Sequence, residues 1–371
     1  MIEKITDFIK RETVLSVAAL LAVISAFFVH PGKEYMDYID FRVLILLFCL
    51  MLVVAGLKKI GVFQKVGRAL VERADSTRKL TVIMTSLCFF SSMFITNDVA
   101  LITFVPFTIL ILNMVDKEEK IIKVIVLETI AANLGSMLLP IGNPQNLYLY
   151  ALSGMNFTEF IKVIIPYWIV SLVMLCIFAV TDKNETFTYK DSSEKIIAID
   201  KKKMTVYIVL FCLCIGVVMK LITPLVLLLI VLITVIFVDK NLLQDADYNL
   251  LITFVCFFIF IGNIKNMDTI AELLQQWISG RELGMGILTS QVISNVPVAI
   301  LLSGFTENIK TVLIGVNIGG LGTLVASLAS LISFKLYVKD PQSKKGRYFI
   351  TFTIYNFIFL VVLYLLAVFI Q

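Results

Sequence analysis

Charge is scarce in this sequence. Asp, Glu, Lys and Arg together make up 16% of its 371 residues, against about 25% in an ordinary soluble domain. Histidine is nearly absent: His30 stands alone, precedes Pro31-Gly32 and reads as a solvated loop residue. No HExxH, GxSxG, paired catalytic Asp motif or His cluster occurs, so a membrane protease or other enzyme lacks its reacting groups. The six cysteines, Cys49, Cys88, Cys176, Cys212, Cys214 and Cys256, all fall inside apolar runs, and none forms a CxxC pair. They are expected as buried thiols, not as disulfides or metal ligands. The net charge of +5 comes from basic residues in short loops. With no basic face interleaved with aromatics, nucleic acid is not an expected partner.

Apolar residues are what the chain has in excess. Hydrophobic side chains account for 59% of it, and the mean hydropathy is +0.95. Runs long enough to cross a bilayer recur from end to end. The expectation is one all-α, polytopic membrane domain over residues 1–371, multi-pass in the plasma (inner) membrane, with lipid as its surroundings. Spans are read near 13–29, 41–57, 160–180, 204–219, 222–238, 249–263 and 348–370. Lys10 and Arg11 before Val14–Val29 resemble a signal peptide, but no small-x-small cleavage site follows, so a retained first span is expected.

Four apolar stretches do not fit a simple span. Residues 283–309, between Arg281-Glu282 and Lys310, are too few for two crossings of roughly 20 residues each, and a re-entrant hairpin fits them better. Residues 80–112 carry a similar motif. Residues 121–151 and 310–338 are each too long for one span and rich in Gly and Asn midway, as a broken helix would be. Counting the broken elements, this makes about nine full spans plus two hairpins. Lys and Arg concentrate in loops 58–79, 181–203 and 339–347, which places these on the cytoplasmic side, the N-terminus inside and the C-terminus outside. Loop 239–247 goes against this, with Lys240 facing Asp239, Asp245 and Asp247.

Order then repeats. Asp40-Phe41-Arg42 opens a run ending Gly56-Leu57-Lys58-Lys59, and Asp247-Tyr248-Asn249 opens one ending Gly262-Asn263-Ile264-Lys265. Amphipathic stretches follow at 60–75 and 267–279. Next come Ile95-Thr96-Asn97-Asp98-Val99-Ala100-Leu101 and Ile293-Ser294-Asn295-Val296-Pro297-Val298-Ala299. Last come Ala132-Asn133-Leu134-Gly135-Ser136 and Val316-Asn317-Ile318-Gly319-Gly320. Both halves read span, span, hairpin, broken span, span, with repeat 1 at about 10–182, a linking span at 204–219 and repeat 2 at about 222–371. The linking span makes the second copy enter from the opposite face, as in inverted-repeat transporters.

Polar residues at membrane depth carry the chemistry. Backbone unwound in hydrocarbon costs several kcal/mol per unsatisfied group, so it persists where it lines a cavity. Thr96-Asn97-Asp98 and Ser294-Asn295 would form the hairpin tips, where a starting helix offers N–H groups to an anion and an ending helix offers carbonyls to Na⁺. Ordinary helix capping by Thr and Asn is the plainer alternative. Leu139-Pro140-Ile141-Gly142-Asn143-Pro144-Gln145-Asn146 breaks the first long element, turning Asn143, Gln145 and Asn146 toward the cavity. Gly319-Gly320-Leu321-Gly322-Thr323, with Ser327 and Ser330 beyond it, is the softer counterpart. There Gly315 and Gly319 also form a GxxxG that could simply pack helices.

Tips of the Ser/Thr-Asn type with a Gly-Asn-Pro-Gln-Asn break resemble the ion-transporter superfamily. It includes divalent-anion/sodium symporters, arsenite permeases and NhaD-type sodium/proton antiporters, and the likeness is nearest to its citrate-transporter-like, small anion-permease members. The resemblance spans about residues 10–370. It implies a scaffold with a moving transport part, elevator-type motion, a homodimer, and no cofactor beyond Na⁺ or H⁺ as coupling ion. The symporters' Ser-Asn-Thr tip maps onto Thr96-Asn97-Asp98 and Ser294-Asn295-Val296, and both copies depart at the third position. Substrate contacts are expected from Thr96, Asn97, Asn143, Pro144, Gln145, Asn146, Ser294, Asn295 and Thr323. Ion coupling is expected at Asp98, Glu128, Asn133, Gly135, Gly142, Asn317 and Gly319, with Na⁺ ligands among Asn97, Asp98, Asn143, Asn295 and Asn317. Asp98 and Glu128 are the intramembrane acids, functional candidates by default; a structural hydrogen bond is the alternative for each. Their counterparts, Val296 and Val312, are neutral, so an asymmetric site is expected. The expected activity is secondary transport of a small anion coupled to Na⁺ or H⁺; Na⁺/H⁺ antiport and arsenite-type efflux are the alternatives. Trp168 and Trp277 are expected as interfacial anchors, and Lys335 as a snorkelling lysine.

Overall fold

The computed structural model describes residues 12–181, 183–187 and 199–370. Lys10 and Arg11, on which the signal-like pattern rests, lie outside these residues, as does much of the 181–203 loop. The described chain is helical apart from one isolated antiparallel bridge between Ser76 and Thr186. Seven of its helices are long and apolar enough to cross a membrane. On α9 (Phe157–Val180), Ile165, Ile169, Val173 and Ile177 form one exposed stripe at four-residue spacing, a surface that only lipid tails would cover.

The half that the sequence reads as the first copy begins with α1 (Thr13–Ala26), the short α2 (Glu34–Tyr38), α3 (Phe41–Lys59) and α4 (Val62–Val71). A helix pair follows, α5 (Thr77–Ile95) and α6 (Asn97–Met114). Then α7 (Glu118–Ser136), a 3₁₀ turn at Pro140–Gly142 and α8 (Pro144–Ser153) form the broken element, closed by α9. The connecting helix is α10 (Lys201–Val218). The second copy runs α11 (Pro224–Asp239), α12 (Tyr248–Lys265), α13 (Asp268–Ile278) and the pair α14 (Glu282–Ile293) and α15 (Asn295–Ser303). Its broken element is α16 (Ile309–Gly319), a 3₁₀ turn at Leu324–Ala326 and α17 (Leu328–Val338), and α18 (Lys345–Ile370) closes it.

The same local devices recur at matched places. Asp40 caps α3 with φ −80°, ψ 89°, and Asp247 caps α12 with φ −80°, ψ 82°; both carboxylates accept from the first-turn N–H groups. Thr96 (φ 67°, ψ 154°) and Ser294 (φ 74°, ψ 150°) separate the arms of the two helix pairs. Asn143 (φ −154°, ψ 158°) and Ser327 (φ −143°, ψ 139°) restart the two broken elements after their 3₁₀ turns. The copies also interleave: α1 packs on α12 while α11 packs on α3, and α6 packs on α17 while α15 packs on α8. At the centre lies α7, buried along nearly all of Ile121–Ser136.

Three expectations are adjusted. The arms α5 and α6 have 19 and 18 residues and each is long enough to cross on its own, whereas α14 and α15 have 12 and 9. The second pair has the proportions of a re-entrant hairpin, and the first has longer arms. Cys176 and Cys212 are exposed, not buried, although all six cysteines are free as expected. A thiol on a lipid-facing helix meets no water, so an apolar run does not separate core from lipid face. Trp168 is not a surface anchor. It packs on Phe89 with ring centroids 5.0 Å apart and on Phe90 at 6.1 Å, while Trp277 is exposed.

Candidate functional site

Each helix pair turns through one residue in a backbone region that only glycine occupies readily. Thr96 and Ser294 are neither glycine nor flexible, and Thr is β-branched. Such strain, about 1–3 kcal/mol per residue, persists where the surroundings over-determine it. At the first tip the surroundings are an amide network. Asn97 Nδ2 donates to Asn133 Oδ1 at 3.2 Å, and Ser327 Oγ donates to the same oxygen at 2.9 Å. The first tip, the first broken element and the second broken element therefore meet at Asn133.

The reciprocal contact exists on the other side. Asn143 Nδ2 donates to Asn317 Oδ1 at 3.4 Å and to Ser136 Oγ at 3.2 Å, and Asn317 Nδ2 donates to Asn146 Oδ1 at 2.7 Å. Asn133 and Asn317 each stand ten residues before the restart residue of their own copy, Asn143 and Ser327 respectively. Each is bonded by the restart residue of the other copy. Asn146 Nδ2 turns back to Met137 O at 2.9 Å, which satisfies a carbonyl freed by the break. Gly142 is needed at this turn, because a Cβ there would stand 2.0 Å from Ser136 O.

A cavity of about 650 Å³ lies beside these networks, lined by Thr96, Asp98, Asn143 and Pro144, by Lys58 and Lys59 at the end of α3, and by Asp245 and Asp247 just before α12. A second, of about 450 Å³, shares Asp98 and Asp247 and adds Ser294, Val296 and Pro297. The two tips thus border one composite space on either side of Asp98. Two side-chain atoms of its lining residues are buried without a partner, Asp98 Oδ1 and Ser294 Oγ, and so is Asn133 Nδ2 within the amide network. Unpaired buried polar atoms are rare in folded proteins and call for an explanation.

Not every predicted residue lies at this space. Glu128 is fully buried in α7, and its Oε1 accepts from Thr108 Oγ1 at 2.6 Å, away from both cavities. Gln145 is buried behind Pro144 in the first turn of α8. Asn295 lies over Gly320, where a Cβ would come within 2.7 Å of its amide nitrogen. Gly135 brings α7 against α5, and Gly315 and Gly319 bring α16 against α14, so these glycines serve close packing. Thr323 and Gly319 are held by Gln291, which the sequence alone did not single out. Gln291 Nε2 donates to Gly319 O at 3.0 Å and Leu321 O at 2.9 Å, and its Oε1 accepts from Thr323 N at 2.8 Å. Asp247 was also missed as a site residue; its copy-matched position beside Asp40 was the available signal.

A helical bundle with seven helices long and apolar enough to cross a membrane, and two mid-helix breaks beside an internal cavity, has the build of a membrane transporter. A family model described as "Citrate transporter" matches residues 1–316, and the chain belongs to that family. It is 30% identical over 355 residues to the uncharacterized transporter MJ0456 of Methanocaldococcus jannaschii, covering 94% of each chain. It is 30% identical over 330 residues to the inner membrane protein YbiR of Escherichia coli, covering 85% of this chain and 86% of that one. The silicon efflux transporter LSI3 of Oryza sativa matches at 30% over 158 residues, 41% of this chain and 32% of the relative.

Proposed function

We propose that the protein is a secondary active transporter that moves a small oxygen-rich anion, an inorganic oxyanion or a di- or tricarboxylate, together with Na⁺ or H⁺. One observation carries this: two strained tips, beside two broken helices, border a cavity that Asp98 Oδ1 and Ser294 Oγ line without a partner. The hydroxyls of Thr96 and Ser294 suit solute oxygens; the carboxylate suits a cation. The cavity lining also supports a need for a cation. Three carboxylates, Asp98, Asp245 and Asp247, line the first cavity with two lysines, of which Lys59 is already engaged by Asp239. The lining is therefore net negative toward an anion, and repulsion between like charges strengthens where water is scarce. A co-bound cation removes that barrier. The two copies act as inverted repeats, moving by an elevator-type exchange of access, with the protein as a homodimer in the plasma membrane and its Lys-rich loops inside.

A second reading follows from the same acidic wall. A weak acid that is neutral at pH 7 would pass it without a co-ion, as in arsenite- or silicon-type efflux, and LSI3 and the putative transporter arsB of Dictyostelium discoideum are relatives of partial length. Reconstitution in liposomes under imposed Na⁺ or pH gradients separates the two. Citrate, succinate, sulfate or phosphate uptake that requires a gradient, and is lost in Asp98→Asn, supports the first. Arsenite or silicic acid flux with no anion uptake supports the second. Full cation-dependent anion uptake by Asp98→Asn removes Asp98 from the coupling role.

A further inference from the structure

Asp40 and Asp247 occupy matched positions, cap matched helices and share the same backbone angles, but their carboxylates have different surroundings. Arg42 follows Asp40 by two residues, and its Nη2 lies 3.2 Å from Asp40 Oδ2, so the first copy's carboxylate is occupied on both oxygens. The second copy has Asn249 in place of that arginine. Asp247 Oδ1 accepts from Leu250 N at 3.0 Å, and among the described residues neither Asp247 nor Asp98 forms an ion pair. Both line both cavities. Ser294, 1% exposed, lines the second cavity with them, and its Oγ has no partner.

The other charged groups facing this space are accounted for. Lys59 is engaged with Asp239 at 2.7 Å. Lys58 lines the first cavity and has Asp245 as its charged neighbour. Glu12 and Lys335 line the second cavity and not the first. What is left at the junction is two carboxylates and one hydroxyl: three oxygen donors contributed by α6, by the cap of α12 and by the second tip. Oxygen donors of this kind suit a hard monovalent cation.

We propose that Asp247 joins Asp98 and Ser294 Oγ in a cation site shared between the two copies, with Asp247 the outer ligand that meets the cation first. This rests on the cation-coupled reading above and deepens it: the coupling ion is held across the interface between copies, not within the first alone. Any movement of the tips relative to α12 would then make or break the site.

The test is thermal unfolding of the purified full-length protein, titrated with NaCl against choline chloride at constant ionic strength, at pH 8 and pH 6. Asn caps helices as well as Asp does, so Asp247→Asn keeps the start of α12. The wild type is expected to be stabilised by Na⁺, with a half-saturating concentration that rises at pH 6. Asp247→Asn and Asn249→Arg, the latter recreating the arginine that occupies Asp40, are expected to raise that concentration at least tenfold. Asp98→Asn should abolish the response and Asp40→Asn should leave it unchanged. If the cation is a proton, the wild type shows no Na⁺ response but a pH-dependent unfolding temperature, which Asp247→Asn and Asp98→Asn both flatten. If Asp98→Asn loses the response while Asp247→Asn and Asn249→Arg keep it at wild-type strength, the shared site is wrong and cation coupling stands. If no protein responds to Na⁺ or pH, both fall.

Discussion

Thr96 and Ser294 have φ and ψ within 7° of one another, yet the helices on either side of them differ about twofold in length and the acid beside Thr96 is replaced by Val296 beside Ser294. The restart residues differ similarly, Asn143 against Ser327, and so do the caps' neighbours, Arg42 against Asn249. Backbone devices that set where helices stop are duplicated; charges that decide what binds are not. A scaffold needs two similar halves to present two tips to one space. The charges that break the match lie one in each half: Asp98 has Val296 as its counterpart, and Asp247, unlike Asp40, has no arginine two residues on.

The largest test of that comparison is steric. A Cβ on Gly135 would stand 2.0 Å from Phe89 O, a backbone atom, whereas at its counterpart Gly319 the nearest contacts are 2.8 Å from Gly286 O and Ser290 Oγ. Gly135→Ala is expected to destabilise by about 3 kcal/mol or more and to abolish transport, since α5 and α7 must part; Gly319→Ala is expected to lose about 1–2 kcal/mol. Urea or thermal unfolding in detergent measures both. Equal losses at the two sites would mean the first copy is not the more tightly closed.

Next come the amides. Asn133→Ala leaves Asn97 Nδ2 and Ser327 Oγ without their shared acceptor, and Asn317→Ala removes the donor to Asn146 and the acceptor from Asn143. Each stranded buried group costs about 1–3 kcal/mol; polar pairs within membranes measure nearer 0.6. Both variants are expected to lose about 1–2 kcal/mol and most solute uptake. A double-mutant cycle of Asn133 with Ser327 should show coupling, matched by one of Asn317 with Asn143. Coupling in one cycle alone would break the reciprocity.

How much of this was visible beforehand depends on what the residues themselves enforce. Pro140, Gly142 and Pro144 cannot continue a helix, so the first break was legible to within a few residues. Its counterpart was legible through Gly319-Gly320 and the match with Asn133. The reciprocal bonds were not, because nothing local in Ser327 says that its hydroxyl reaches Asn133. Gln291 was hidden for a related reason: a lone Gln in an apolar helix declares a need for partners without naming them. Trp168 and the exposed Cys176 and Cys212 mark a further limit. Core and lipid face are equally apolar, so composition cannot tell a packed ring from an anchor.

The strained tips give a smaller effect of opposite sign. Glycine at a positive φ relieves about 1–3 kcal/mol of strain and gives back about 0.5–1 through the unfolded chain. Thr96→Gly is expected to raise stability by about 1 kcal/mol and Ser294→Gly by less, since the β-branched residue is the worse fit. Transport should nevertheless fall in both, through loss of the hydroxyls. A destabilised Thr96→Gly would show that its side chain holds the tip more than its backbone resists it.

The smallest effect concerns how the base of each pair is held. In the first copy, residues 183–187 cross the start of α5: Thr77 N donates to Glu185 O at 2.8 Å and Phe187 N to Asp75 O at 3.1 Å. The Glu185 carboxylate pairs with Lys117 and, at 3.3 Å, with Lys120 at the start of α7. Those two lysines hold its pKa below the ordinary 4.5. A depressed carboxyl stabilises the fold at every pH above its unfolded value, and that contribution fades as pH falls through the folded value, here in the region below 4.5. The pairs are exposed, so salt screens them. In the second copy, Thr306 Oγ1 donates to the buried Glu282 at 2.8 Å, and screening should hardly reach it. Glu185→Gln is therefore expected to lower the unfolding temperature by about a degree at pH 7 and low salt. The difference from wild type should vanish in high salt, where ions screen the pairs, and as pH falls through the wild-type carboxyl's own depressed pKa, where it too becomes protonated. Glu282→Gln should show a loss that salt leaves unchanged. If the two variants respond alike to salt, the bases of the two pairs are held by the same kind of contact, and the difference between the copies is confined to the tips.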